Sequence, residues 1–343
     1  MHNELLYLIS FAVAFFASFA ITPICRLIAL KLNILDNPIS DVKTHKISTP
    51  YLGGIAIACA SIMTLFLIRL FTHFPDGTLR SLRGIIFGSI VVMFLGFIDD
   101  VKYKGLGVKS KLLIQFLAAG IVVFLFDIRI NFLETYWLSC FISIFWIVGI
   151  TNAFNIIDIM DGLSSGIAVI AAFAFLFISL PTEMIYVNFC AMALGGAILG
   201  FMPYNFSKTR KIFMGDTGSL FIGFVLASLA MGTSYTKIND IGLFAPLLIL
   251  AVPIYETSLV SLFRMRKGKS PFMGSKDHYA LRLEKMGFSR KHILIMTYIA
   301  CILLAFCAFL VIKAPMSYAM MLFVFVIACL WVASVKLASV KVE

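Results

Sequence analysis

Long apolar runs separated by short polar segments make up this chain, and the runs are long enough to cross a membrane. A span needs about 20 predominantly apolar residues, and on that rule eleven are expected, near 5–30, 51–72, 83–98, 112–126, 136–154, 163–180, 185–204, 218–235, 241–263, 293–312 and 317–335. The pattern predicts an all-α polytopic membrane protein of about eleven transmembrane helices. The first run is too long for a signal-peptide core and lacks a basic lead-in, so it counts as a span. No repeat period or low-complexity stretch divides the chain, and 1–343 reads as one integral domain with a long polar loop over 264–292.

Polar residues interrupt this pattern most sharply in Asn152-Ala153-Phe154-Asn155-Ile156-Ile157-Asp158-Ile159-Met160-Asp161-Gly162. An ionisable residue within a span costs roughly 2.5–3.5 kcal/mol, so Asn152, Asn155, Asp158 and Asp161 mark a functional site rather than packing. Their three-residue spacing places each neighbouring pair on a shared face. Four such steps drift halfway around an α-helix, so the ladder is expected to unwind or tighten near its end.

Charge gives the spans a direction. The sequence holds 28 Lys and Arg against 17 Asp and Glu, is 61% hydrophobic and has a mean hydropathy of +1.02. The basic residues lie in short loops, the pattern of topology and of anionic partners at a membrane surface, which excludes nucleic acid as a partner. With the amino terminus outside, 22 of the 28 cations fall on the inner side, and the ladder then faces the cytosol. The seven cysteines lie in apolar spans without paired spacing, indicating neither a disulfide framework nor a zinc site.

Four further inner segments carry chemistry. The first, Asp41-Val42-Lys43-Thr44-His45-Lys46 followed by Pro50-Tyr51-Leu52-Gly53-Gly54, reads equally as a basic loop or a phosphate-binding one. Asp99-Asp100 ends a span ahead of Lys102, Lys104, Lys109 and Lys111. Adjacent carboxylates point in different directions on a helix, so one can meet a metal while the other orients a lysine or a nucleophile. In Phe213-Met214-Gly215-Asp216-Thr217-Gly218-Ser219 a carboxylate stands where a span begins, as a helix cap or an anion-site element. Lys276-Asp277-His278 through Arg282-Leu283 lies in the longest inner loop. Together Asp99, Asp100, Asp158, Asp161 and Asp216 among many lysines suit Mg²⁺, which takes one or two carboxylates plus substrate phosphates. No P-loop or G-x-G-x-x-G cradle is present.

In this order, Phe97-Ile98-Asp99-Asp100, the ladder through Gly162 and Phe213 to Ser219 resemble the polyprenyl-phosphate N-acetylhexosamine-1-phosphate transferases. The resemblance runs from His45 to Arg282, and the last two spans match only as hydrophobic segments. It implies a catalytic domain that transfers a sugar 1-phosphate from a UDP-N-acetylhexosamine to a membrane polyprenyl phosphate, releasing UMP. It further implies Mg²⁺, with Mn²⁺ as the alternative ion, a multi-pass place in a bacterial plasma membrane, and a role in starting a lipid-linked envelope glycan; association as a homodimer is left open.

Carried over by position, the family pattern gives Asp216 and Asn155 to the metal, and catalytic roles to Asp99, Asp100, Asp158, Asp161 and His278. Asp99 is the carboxylate expected to meet the lipid phosphate. Lys111, Asn152, Asn205, Phe213, His45 and Arg282 are expected to bind substrate, with uracil stacked on Phe213. The muramoyl-pentapeptide branch carries a triple-histidine run where this chain has Asp277-His278-Tyr279-Ala280-Leu281-Arg282. The motif is more similar to the UDP-N-acetylhexosamine branch, although that branch often has histidines where Ala280 and Leu281 stand. N-acetylglucosamine is the default sugar, and a deoxy or epimeric N-acetylhexosamine stays open.

Two other classes compete. A transporter of an anionic lipid or nucleotide sugar would place its charges near the bilayer midplane on broken helices, and only Glu256 reads as buried within a span. A phosphatidyl transferase acting on CDP-alcohols would need a compact D-G-x-x-A-R type motif, and no Arg follows Asp161-Gly162.

Overall fold

The apolar runs become helices, and their ends fall where the polar segments begin. The structure, a computed structural model, describes every residue except 1, 38–46, 73, 103–104, 234, 236–237, 273, 341 and 343. In chain order the helices are α1 (His2–Lys31), α2 (Gly53–Phe71), α3 (Asp76–Val101), α4 (Val108–Phe126), α5 (Tyr136–Ile157), α6 (Leu163–Ser179) and α7 (Ile185–Asn205). They continue with α8 (Gly215–Gly232), α9 (Ala245–Ile249), α10 (Ala251–Arg266), the short α11 (Tyr279–Lys285), α12 (Arg290–Lys313) and α13 (Met316–Ala338). A two-residue antiparallel ladder of β1 (Leu35–Asp36) and β2 (Thr49–Pro50) precedes α2.

Among the described residues ten helices are long and apolar enough to cross a membrane, and the pair Asp240–Ile249 and Ala251–Arg266 makes eleven if counted as one span. This agrees with the all-α polytopic expectation and its number of spans. The ninth span differs in shape, being bent by 70° at its break. Pro253 supplies the cause. A helix running through would need its missing N–H and would drive its ring into the carbonyl of Ile249, whereas a restart at Ala251 puts Pro253 in a first turn, where neither matters.

Contacts gather the chain into two compact units, Met1–Pro38 with His45–Ser234, and Ile39–Thr44 with Tyr235–Glu343. In the first, α8 is the central helix. Its span is 78% buried against 28% for α4, so α8 is enclosed by protein while α4 turns mostly outward. It packs on α3, α5, α2 and α6. Lipid offers no hydrophobic drive for helices to associate, so close packing through small residues holds them together. A Cβ added at Gly96 of α3 would stand 2.5 Å from the backbone of Asp216, and one at Gly54 of α2 would stand 2.1 Å from the Gly218 nitrogen.

The segments leading into α2 and α8 are joined by backbone hydrogen bonds. Phe213 N–H donates to the Pro50 carbonyl (2.9 Å), and Gly53 and Gly54 N–H donate to the carbonyls of Phe213 (3.0 Å) and Met214 (2.9 Å). One end of this unit therefore collects the end of α3 and the starts of α2 and α8. In the second unit α12 packs on α9 and α13, and only 11% of the α13 span is buried, as suits a helix facing lipid.

The close approach of α3 to α8 makes a discriminating pair of variants. Gly96→Ala should destabilise the purified protein by about 1–3 kcal/mol, the usual cost of overpacking. Gly120→Ala, where an added Cβ meets nothing within 4 Å, should leave the melting temperature unchanged or raise it. Equal melting temperatures for the two variants in a detergent thermal-unfolding assay would contradict this packing.

Candidate active site

The polar ladder leaves the helix midway, as its drift around the axis requires. Helix α5 stops at Ile157 and Asp158 N–H bonds back only to the Asn155 carbonyl, while Gly162, at φ 79°, starts α6. Asn152 and Asn155 thus stand on helix, and Asp158 and Asp161 in the turn. Asn152 exchanges amide hydrogen bonds with the buried Gln115 of α4 and donates to the Val148 carbonyl (2.7 Å), an anchor between α4 and α5. Asn155 donates to Asp216 Oδ1 (2.9 Å) and to Ser219 Oγ (3.0 Å) on α8.

The two carboxylates ending α3 diverge. Asp100 turns to the start of α8, where its oxygens accept from Asp216 N–H (2.9 Å), Thr217 N–H (3.0 Å) and the Thr217 hydroxyl (2.6 Å). It caps that helix from a different helix, satisfying orphan donors at the positive end of the dipole. Gly215 permits this approach, since it takes φ 70° and a Cβ there would stand 2.5 Å from Asp100 Oδ2. Asp99 turns the other way, with Oδ1 accepting from Leu106 N–H.

Lys111, in the first turn of α4, closes the constellation. Its Nζ lies 2.6 Å from Asp99 Oδ2 and 2.7 Å from Asp216 Oδ2. Each carboxylate has one oxygen fixed by a neutral donor and the other aimed at the same cation. Among the described residues no three His, Cys, Asp or Glu side chains form a closed metal cage. Mg²⁺ does not need one, because it binds through one or two carboxylates plus water and phosphate, whereas a structural zinc would require all four ligands. Asp216, pinned by Asn155 and already facing a cation, fits a hard divalent ion.

The Asp158 carboxyl lies near Asp216, Asp161 and Asp100 and has no hydrogen-bond partner among the described residues. Burial, and then the charges of Asp216, Asp161 and Asp100, push its carboxyl well above the usual carboxylate range. Asp161 pairs with Lys211 Nζ (2.5 Å), which also lies 5.2 Å from the centre of the Phe213 ring. Arg26 holds the backbone beneath, donating to the carbonyls of Lys211 and Thr209 (3.3 Å each). Asn205 is buried with both ends of its amide engaged, accepting from Gly162 N–H (2.8 Å) and donating to the Ile212 carbonyl (3.1 Å). It ties the turn after α5 to the strap before α8. Lys211 is a site residue beyond those expected from the sequence; its signal is a cation two positions before an aromatic ahead of a helix start.

His278 and Arg282 belong to the second unit, and His45 lies outside the described residues. His278 Nδ1 is 2.7 Å from Oε1 of the buried Glu256. Arg282 donates through Nε to the Asp277 carbonyl (3.1 Å), through Nη2 to Asp277 Oδ1 (2.8 Å), and through Nη1 to the Leu337 carbonyl (3.1 Å) and that of Val340. With its guanidinium also 3.9 Å over the Phe263 ring, it acts as a clamp on the loop. Burial pushes the Asp277 carboxyl up, but Lys267, by hydrogen bond and charge, with Ser275 and Arg282, outweighs it and holds the group below its ordinary range.

The raised Asp158 carboxyl sets a stability trend. The folded chain keeps this proton at pH values where the unfolded chain, near 4, has lost it, so stability falls as pH rises through the folded value. Asp158→Asn removes that loss. In chelator-treated protein the variant should melt above wild type at pH 8, with the difference closing toward pH 4; a constant difference would contradict it.

Comparison with known proteins identifies the family. The glycosyl transferase family 4 profile matches residues 82–234, the stretch from α3 through α8 that carries Asp99, Lys111, Asn155 and Asp216. The chain is 31% identical over 300 residues to the probable undecaprenyl-phosphate N-acetylglucosaminyl 1-phosphate transferase of Bacillus subtilis, covering 85% of this chain and 81% of that one. It is 35% identical over 272 residues to the phospho-N-acetylmuramoyl-pentapeptide-transferase of Streptococcus gordonii, covering 73% and 79%. It is 28% identical over 332 residues to the decaprenyl-phosphate N-acetylglucosaminephosphotransferase of Mycobacterium tuberculosis, covering 88% and 81%. A shared sequence over most of both chains, on a site of paired carboxylates and lysine at helix ends, makes this chain a member of the polyprenyl-phosphate N-acetylhexosamine-1-phosphate transferases of glycosyl transferase family 4.

Proposed function

We propose that this protein transfers N-acetylglucosamine 1-phosphate from UDP-N-acetylglucosamine to a polyprenyl phosphate, releasing UMP, at the cytosolic face of a bacterial plasma membrane. The observation that carries the reading is Lys111 held between Asp99 and Asp216 at the ends of three helices. The names of the Bacillus subtilis and Mycobacterium tuberculosis relatives support the sugar and the acceptor. Orientation with the amino terminus outside and the carboxyl terminus inside rests on the 22 inner cations of 28.

Asp216 and Asn155 hold Mg²⁺, or Mn²⁺ in its place. Bound there, the ion would offset diphosphate charge, which is what phosphoryl transfer chiefly asks of a site. The chain's own groups do the rest. Lys111 and the N-terminus of α8 balance phosphate charge, Phe213 offers its face to uracil with Lys211 beside it, and Asp99 takes the residual proton of the lipid phosphate. The lipid phosphate then attacks the β-phosphorus directly and UMP leaves. A phosphate monoester, with a second pKa of about 6, is already an oxyanion near neutrality and needs positioning more than a covalent relay.

The transport alternative asks for an unspent charge on a broken span. Glu256 is the buried carboxylate on the bent span, and its oxygens are engaged by His278 and Tyr279.

Purified protein given polyprenyl phosphate, Mg²⁺ and a panel of UDP-sugars should release UMP, with UDP-N-acetylglucosamine preferred. Asp99→Asn should lose most turnover at about pH 6 and regain part of it toward about pH 8, as the lipid phosphate sheds its proton unaided. No UMP from any sugar would overturn the activity, and a pH-independent Asp99→Asn defect would overturn the role of Asp99.

A further inference from the structure

Glu256 lies within the second half of the bent span and is fully buried. A lone carboxylate there would be costly, so its two oxygens must each find a donor. Oε1 lies 2.7 Å from His278 Nδ1, and Oε2 accepts from Tyr279 N–H at 3.2 Å. Tyr279 is the first residue of α11 and His278 its N-cap. One carboxylate thus fixes both the start of this short helix and the ring of the residue before it.

The neighbouring contacts remove the remaining freedom. Asp277 is buried and clamped by Arg282 and by Lys267 Nζ (2.8 Å each). The Tyr279 hydroxyl meets Thr297 Oγ1 at 2.9 Å, anchoring the other side. His278 is held at its backbone and at one ring nitrogen, while Nε2 has no partner among the described residues.

We infer that Glu256 is a positioning residue that sets the orientation and tautomer of His278. A carboxylate accepts hydrogen bonds and has no proton to give, so Nδ1 carries the hydrogen and a singly protonated ring presents Nε2 as an acceptor. The catalytic consequence rests on the proposed function together with the catalytic role that the family resemblance gives His278; the tautomer itself does not. Glu256→Gln tests the assignment with almost no change of shape. An amide has one acceptor and one NH₂, and the Tyr279 N–H can only donate. The amide oxygen therefore goes to Tyr279, the NH₂ faces Nδ1, and the ring proton moves to Nε2.

Nitrogen NMR of protein labelled only in its five histidines, with His278 assigned by its loss in His278→Gln, reads this directly. At a pH where each ring carries one proton, wild type and Glu256→Asp should show His278 protonated at Nδ1, and Glu256→Gln at Nε2. A wild-type ring protonated at Nε2, or a Glu256→Gln ring that does not invert, overturns the proposal. Kinetics supply the second arm. Glu256→Gln should lower kcat/KM for the UDP-sugar by about tenfold or more, as loss of an orienting partner does, but less than about twofold in a His278→Gln background. Equal losses in both backgrounds would make Glu256 merely structural. If no transferase activity exists at all, the proposed function fails while the NMR result still decides on Glu256.

Discussion

The hydrogen bonds from the start of α8 to Asp100 are the interaction on which the site depends. A helix beginning inside a membrane protein exposes backbone N–H groups that water does not reach, and each must find an acceptor. Asp100 meets two of them and a hydroxyl as well. Hydrogen bonds to a charged group contribute roughly 1.5–3 kcal/mol each, so the end of α3 and the start of α8 are fixed together. Gly96 and Gly215 make the approach close enough, and Asp99 and Asp216 are then brought face to face as neighbours of the capping groups.

From that constraint the electrostatics follow. Two carboxylates held together repel unless a cation lies between them, and Lys111 supplies one positive charge to the pair. The pair keeps a negative charge, which would favour the divalent ion of the proposed function. A site that gathers carboxylates and lysines is thus built from ordinary helix ends. The same economy holds in the second unit, where Glu256 starts a helix and orients a histidine at once.

Much of this was legible in the sequence. Lipid demands long apolar runs, so hydropathy alone located the spans; it missed the bend between α9 and α10 because both halves are apolar, although Pro253 carried the signal. The ladder announced its departure from the helix through its spacing, and Asp99 and Asp100 announced their divergence through being adjacent. What side chains do across helices was not legible. Asp100 caps α8, Asn205 and Asn152 are engaged in holding backbone and neighbouring helices, and Arg282 clamps its own loop. Each role depends on which segment lies opposite, which local spacing does not encode. Glu256 was conspicuous as a buried charge, but its partner is 22 residues away.

Binding of Mn²⁺ to chelator-stripped, purified protein, followed through loss of the free-ion EPR signal, tests most directly whether Asp216, with Asn155 beside it, forms a cation site. Wild type should bind a single ion, Asp216→Asn should lose about tenfold or more in affinity because an amide is a poor substitute for a charged oxygen at a hard ion, and Asp161→Asn should bind nearly as wild type. Equal affinity in wild type and Asp216→Asn would contradict the assignment.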